Sequence, residues 1–237
     1  MVGRDAEARH LSDALSDARA GSGRVVLIAG EAGIGKSRLA RQAADTARQR
    51  GFAVLTGRAV AGGVPTPFRP IAEALASALR PGGVPADADL DPFRPALGRL
   101  VPHLQSPGDA ADDGSLVFLG EAVLRLLRVL SSDHGCMVLL EDLHWADRET
   151  LALVEYVADN IWAERILLAG TFRPDEGEVA ELAAKLETRG SADLVPLGRL
   201  DESAMARMAQ ACLDTTQLPT RHSHSWRRAR KIGRAHV

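Results

Sequence analysis

Eight residues constrain this chain more than any others: Gly30-Glu31-Ala32-Gly33-Ile34-Gly35-Lys36-Ser37. They follow the apolar run Val25-Val26-Leu27-Ile28-Ala29 and precede a helical pattern that begins at Arg38. The pattern G-x-x-x-x-G-K-[ST] between a strand and a helix predicts a loop that wraps a phosphate. Glycine lets the loop turn tightly around an anion, and the backbone N–H groups of residues 33 to 37 are expected to point inward. The N-terminus of the following helix adds the positive end of its dipole. Gly30, Gly33, Ile34, Gly35, Lys36, Ser37 and Arg38 are therefore the candidate nucleotide contacts. Lys36 is expected to reach the β- and γ-phosphates, and the Ser37 hydroxyl to hold Mg²⁺.

The pattern of elements around this loop alternates. Residues 5 to 20 have helical spacing and stop at Gly21-Ser22-Gly23; a strand is expected over 24 to 29 and a helix from the loop to about Arg50, closed by Gly51. A short strand (52 to 57), a Gly/Pro-rich loop (62 to 70) and a helix (Ile71 to Leu79) follow. Residues 81 to 114 are rich in Pro and Gly and read as a surface insertion, with a short helix between Pro92 and Leu104. Leu116 to Leu130 is strongly helical, and Gly135 to Leu140 is a continuous apolar run suited to a strand buried on both faces. Helices over 147 to 160, 178 to 188 and 201 to 213 alternate with strands over 165 to 169 and 193 to 196. The alternation predicts an α/β fold with a parallel sheet covered on both faces.

Two more stretches carry chemistry. Val138-Leu139-Leu140-Glu141-Asp142 is an apolar strand ending in two carboxylates, which a parallel sheet would deliver to the edge where nucleotides sit. One acid is needed for Mg²⁺, and the other is available to orient or deprotonate a water. The order leaves open which does which; Glu141 comes first, where Asp is usual, and a shorter Asp142 as base suits slow hydrolysis. Thr171 and Arg173, at the end of Leu167-Leu168-Ala169-Gly170, are candidate γ-phosphate sensors, Arg173 through a charge-assisted contact; a surface Arg before Pro174 is the plainer alternative. His144-Trp145-Ala146-Asp147 follows the acids. Asp147 is placed to cap a helix and Trp145 to anchor packing, with His144 either structural or catalytic.

Charge and composition narrow the setting. The 237 residues, 46% hydrophobic and 25% charged, fit a soluble globular chain, and no apolar run approaches the roughly 20 residues needed to span a bilayer. No signal-peptide layout opens the chain, so a cytoplasmic protein is expected. Cys136 and Cys212 are expected as small buried hydrophobes. The net charge of −2 hides an asymmetry: residues 219 to 237 hold six Arg or Lys and no acid, which leaves 23 basic against 31 acidic residues elsewhere. This tail reads either as a basic nucleic-acid arm or as foreign sequence. Ile232-Gly-Arg-Ala-His-Val237 resembles the translation of a sequencing adapter, so residues 219 to 237 are expected to lie outside the fold and the reading frame to be cut after about Leu213.

With these stretches in place, the chain resembles the AAA-like, signal-transducing (STAND) ATPases. More narrowly, it resembles the ATPase module of large LuxR-type transcription regulators of the maltose-activator-like group. The residues that carry the resemblance are Val2-Gly3-Arg4-Asp5-Ala6-Glu7, Gly30 to Ser37, Leu140-Glu-Asp-Leu-His-Trp-Ala-Asp147 and Gly170-Thr-Phe-Arg-Pro174. The resemblance implies a P-loop NTPase three-layer sandwich over residues 1 to 200, with the start of a helical lid over 201 to 218. It implies that Val2, Gly3 and Arg4 lie against adenine, that ATP and Mg²⁺ sit at Lys36, Ser37, Glu141 and Asp142, and that Arg173 is a sensor. It also implies a switch that self-associates when ATP-bound in the full-length protein and touches DNA only through a further C-terminal domain, with no membrane partner. Attachment to a nucleotide cyclase or protein kinase, or a replication-initiator-like role on DNA, stands as the alternative.

Overall fold

The computed structural model describes residues 3–62, 66–79, 85, 87–104, 114–131, 134–200 and 204–206. Five strands form the sheet: β1 (Arg24–Gly30), β2 (Ala53–Arg58), β3 (Cys136–Glu141), β4 (Ile166–Phe172) and β5 (Asp193–Leu197). Their order is β2-β3-β4-β1-β5, and every pairing is parallel. The strand that feeds the phosphate loop is therefore separated from the acid-bearing strand by β4.

Why these segments are strands follows from burial on both faces. β3 and β4 are buried at every position, so uninterrupted Leu, Val and Ile is what their places in the sheet demand. Alternation sorts the side chains. Val25, Leu27, Leu55, Val138, Leu140, Ile166 and Leu168 enter one large core with the helices α3 (Arg69–Leu79), α4 (Arg94–Leu100), α5 (Leu116–Ser131), α6 (Arg148–Asn160) and α7 (Val179–Thr188). The intervening residues face α2 (Lys36–Gln49), which touches β1 to β4 and lies against α1 (Asp5–Arg19). The result is a helix–sheet–helix sandwich, as the alternating pattern predicted.

Backbone contact fixes one sequence choice. A Cβ built on Gly57 of β2 would lie 1.8 Å from the Pro70 carbonyl oxygen of α3, so only glycine lets that helix sit on that strand.

The predicted surface insertion is corrected in part. A 3-10 turn over Ala88–Phe93, α4, and a second turn over Pro102–Leu104 bury Leu90, Ala96, Leu97, Leu100, Val101 and Leu104 in the main core. The prolines that look like loop signals are built into these short helices instead: Pro92 sits inside the first turn, Pro95 at the start of α4 and Pro102 at the start of the second turn.

The expected strand at 165 to 169 runs further, through Thr171 and Phe172. Asp147 caps α6 as expected, its carboxylate accepting from the Thr150 N–H at 2.7 Å. Trp145 is not the anchor expected; it is 45% exposed, while its neighbours Leu143 and His144 are buried.

The chain divides into two compact units, Ala6–Gly198 and Met1–Asp5 with Arg199–Val237. Within the smaller unit, Gly3 has φ +74°, and a Cβ there would lie 2.5 Å from Ala204 Cβ. Residues 204–206 are helical; Val2, Asp201, Cys212 and the tail from 207 lie outside the described residues. Among the described residues no helix is long and apolar enough to cross a membrane.

Candidate functional site

The site begins where β1 ends. Gly30 has no room for a side chain, since a Cβ would sit 2.9 Å from Ile34 Cγ2 and 3.0 Å from the Leu197 carbonyl oxygen. Gly33 and Gly35 have φ +72° and +106°, a region that glycine enters without strain. Gly35 is the residue before α2, and no side chain caps that helix and no acid stands in its first turn. The first N–H groups of α2 are thus left for something other than the protein's own carboxylates, in contrast to α6 with its Asp147 cap.

Lys36 folds back into this loop. Its Nζ donates to the Gly30 and Glu31 carbonyl oxygens at 2.7 and 2.9 Å, and the residue is 7% exposed. Burial lowers its pKa below the ordinary lysine value, and the nearby Arg173 guanidinium lowers it further, while Asp142 and Glu176 pull it up. A buried ammonium held by neutral carbonyls is short of counter-charge. Ser37 is half-buried beside it and Arg38 is exposed.

The two acids separate although they are adjacent in sequence. Glu141 ends β3 on the α2 side, where its Oε2 accepts from Arg41 Nη2 at 3.2 Å; its Oε1 is buried with no hydrogen-bond partner among the described residues. Asp142 turns away through a left-handed backbone (φ +59°, ψ +41°), a conformation that Asp tolerates better than most side chains. Its Oδ2 accepts from Nε of Arg58 at 2.7 Å and pairs with Nη2 at the same distance, and this contact raises the Arg58 pKa. Thr171, fully buried, accepts the Asp142 N–H at 3.0 Å through its hydroxyl oxygen. Thr171 is thus occupied in holding the acid's backbone.

Arg173 leaves the end of β4 and its Nη1 donates to Glu176 Oε1 at 2.7 Å. His144 is enclosed, with Nε2 3.7 Å from Glu176 Oε2, and neither ring nitrogen has a hydrogen-bond partner among the described residues. Burial lowers the His144 pKa; the charges of Asp142, Arg173, Glu176 and Lys36 all reach it.

Lys36, Ser37, Glu141, Asp142, Thr171 and Arg173 are therefore gathered at the carboxyl ends of β1, β3 and β4. Gly3 and Arg4 belong to the smaller unit and Val2 is outside the described residues. The sequence did not single out Arg41, Arg58 or Glu176. Only Glu176 left a trace, its spacing three residues after Arg173.

The residues fit a divalent cation. Glu141 Oε1 is a buried carboxylate oxygen with no hydrogen-bond partner among the described residues, at the same sheet edge as the Ser37 hydroxyl, and hard cations such as Mg²⁺ take oxygen donors of this kind.

A family model described as an AAA ATPase domain matches residues 1–169. An uncharacterized protein of Rhizobium meliloti (strain 1021) is 29% identical over 192 residues, 73% of this chain and 18% of that protein. The chain thus spans less than a fifth of that relative. Among solved structures, the Walker-type ATPase paby2304 of Pyrococcus abyssi is similar with a TM-score of 0.53 at 15% identity, over 92% of this chain and 60% of its own. Cdc6p of Pyrobaculum aerophilum gives 0.55 at 16%, over 87% and 48%. The ORC1 protein of Aeropyrum pernix, solved in complex with DNA, gives 0.54 at 16%, over 90% and 50%. At these identities the likeness is one of fold.

Proposed function

Because the chain belongs to the AAA ATPase domain family, we propose that its Gly30–Ser37 loop binds the phosphates of Mg·ATP. We further propose that slow hydrolysis there makes it the switch of a multidomain, signal-responsive transcription regulator in the cytoplasm. The observation that carries the site is Lys36: a buried ammonium resting on two loop carbonyls, beside a helix start with no side-chain cap. An arriving β- or γ-phosphate would replace neutral acceptors by charged ones, which strengthens each contact.

Roles follow from the partners. Lys36 and the N–H groups of residues 33 to 37 hold phosphate, and Ser37 and Glu141 hold Mg²⁺, with Asp142 close by. The cation, when bound, offsets phosphate charge. Asp142 is the better base, because its backbone is fixed by Thr171 and its carboxylate is held by a single removable partner, Arg58. Arg173 meets the γ-phosphate.

Titrating Mg·ATP against the wild type and Lys36→Ala tests the site. Loss of roughly tenfold or more in affinity is expected, the usual scale for deleting a charge-assisted contact; equal affinity overturns the reading.

The regulator setting is supported by the resemblance of Leu140 to Asp147 and Gly170 to Pro174 to the LuxR-type ATPase modules, and by a curated relative several times longer than this chain. In that setting ATP favours self-association, and DNA is met by another domain of the larger protein. Reading the gene beyond the codon for Leu213 tests it. A helix-turn-helix supports the regulator; a cyclase or kinase domain, or a winged helix of the replication-initiator kind, replaces it.

A further inference from the structure

Arg173 and Glu176, three residues apart after β4, meet His144 from the turn after β3. Arg173 follows β4 directly, Glu176 lies in the turn before α7, and His144 lies in the 3-10 turn (Leu143–Trp145) after the acids. One oxygen of Glu176 accepts from Arg173 at 2.7 Å. The other is buried, has no hydrogen-bond partner among the described residues, and stands 3.7 Å from His144 Nε2. The His144 side chain is fully enclosed, and neither nitrogen has a hydrogen-bond partner among the described residues. Three buried polar atoms without partners, clustered in one spot, are unusual, because folded chains pair such atoms or use them.

We propose that Glu176 makes the site discriminate ATP from ADP, by holding Arg173 while no γ-phosphate is present and passing to His144 when Arg173 turns to one. This rests on the reading of Gly30–Ser37 as an ATP site. The guanidinium has several donors in a rigid fork, and a phosphate with more than one negative charge outcompetes a single carboxylate for it. Glu176 is not stranded by the loss. A shift of less than about 1 Å brings its free oxygen to hydrogen-bond distance of His144 Nε2, where the neutral imidazole donates an N–H. ADP offers no group to draw Arg173 away, so the Arg173–Glu176 pair persists. Glu176 and His144 are positioning residues; neither needs to touch the nucleotide.

The test measures affinities of the full chain for a non-hydrolysable Mg·ATP analogue and for Mg·ADP by calorimetry. The variants are Glu176→Gln, Arg173→Gln, the double variant, and His144→Asn. Glu176 is partly exposed and Gln keeps its volume, so folding is expected to survive. Glu176→Gln should tighten the ATP analogue roughly five- to tenfold and leave ADP unchanged, a typical size for coupled sites. Arg173→Gln should remove the preference, and adding Glu176→Gln to it should change nothing. His144→Asn should weaken the ATP analogue and spare ADP. An unchanged ATP/ADP ratio in Glu176→Gln, or an equal effect in the Arg173→Gln background, overturns the exchange. Lys36→Ala separates the two readings. If it binds as tightly as wild type, the nucleotide site itself fails and the exchange with it; if it loses binding while Glu176→Gln leaves the ratio alone, the exchange alone fails.

Discussion

Arg58 donates from Nε to an oxygen of Asp142 at 2.7 Å, with Nη2 also 2.7 Å from that oxygen as an ion pair, and so ties the end of β2 to the residue that follows β3. The two strands are paired in register up to Arg58 and Glu141, so the guanidinium needs no long reach. A carboxylate oxygen engaged in this way is occupied and must be released before it can meet a water. Arg58→Gln should therefore raise ATP turnover, roughly three- to tenfold, a fraction of what general-base catalysis supplies in full. Affinity for ATP should stay within about twofold. Steady-state phosphate release checks both, and a fall in turnover would mean that the arginine positions the acid.

The separation of the acids predicts separable losses. Asp142→Asn keeps a residue suited to the left-handed backbone but removes the base, and should slow the single-turnover rate about a hundredfold or more. Glu141→Gln should instead raise the Mg²⁺ concentration needed for half-maximal ATP binding. Paired Mg²⁺ titrations and single-turnover kinetics distinguish the acids, and a reversed pattern would exchange their roles.

Leu97 is fully buried in the segment whose prolines suggested a surface loop. Leu97→Ala should cost about 2–5 kcal/mol, the range for a large-to-small change in a packed core. Urea unfolding measures it; a loss below about 1 kcal/mol would place the segment outside the core.

Cys136 is completely buried in β3, and burial pushes its thiol from 9.0 up to about 12. The folded protein thus keeps the proton that the unfolded chain releases. Stability from this group is full below pH 9 and is lost as pH rises toward 12, by roughly 1 kcal/mol per pH unit. The stability gap between wild type and Cys136→Ala should narrow over that window in denaturant titrations. A gap independent of pH would show that the thiol titrates alike in both states.

Much of this architecture can be read from the chain because local signals agree with the global fold. The apolar runs at 25–29 and 136–140 are as long as buried parallel strands need, and Gly35, Gly51 and Asp147 mark helix boundaries by their conformational preferences. Lys36, Glu141 and Asp142 follow from the same logic, since a strand that ends in acids in a parallel sheet has one edge to deliver them to. Arg58, Arg41 and Glu176 could not be read this way. Their roles depend on which strand lies beside which, and on a left-handed Asp142 that rotates its carboxylate toward β2. That same turn explains Trp145: with the chain reversed after β3, Leu143 and His144 take the inward positions and the tryptophan is left outside.

The place of β4 has a consequence for distance. Interposed between β1 and β3, it sets the phosphate loop and the acids two strand spacings apart, about 10 Å. The gap is a ruler cut in units of sheet geometry, too wide for Lys36 and the acids to neutralise one another directly. Opposite charges that would otherwise cancel are held apart at a fixed span, so a polyanion carrying its own cation can bridge them.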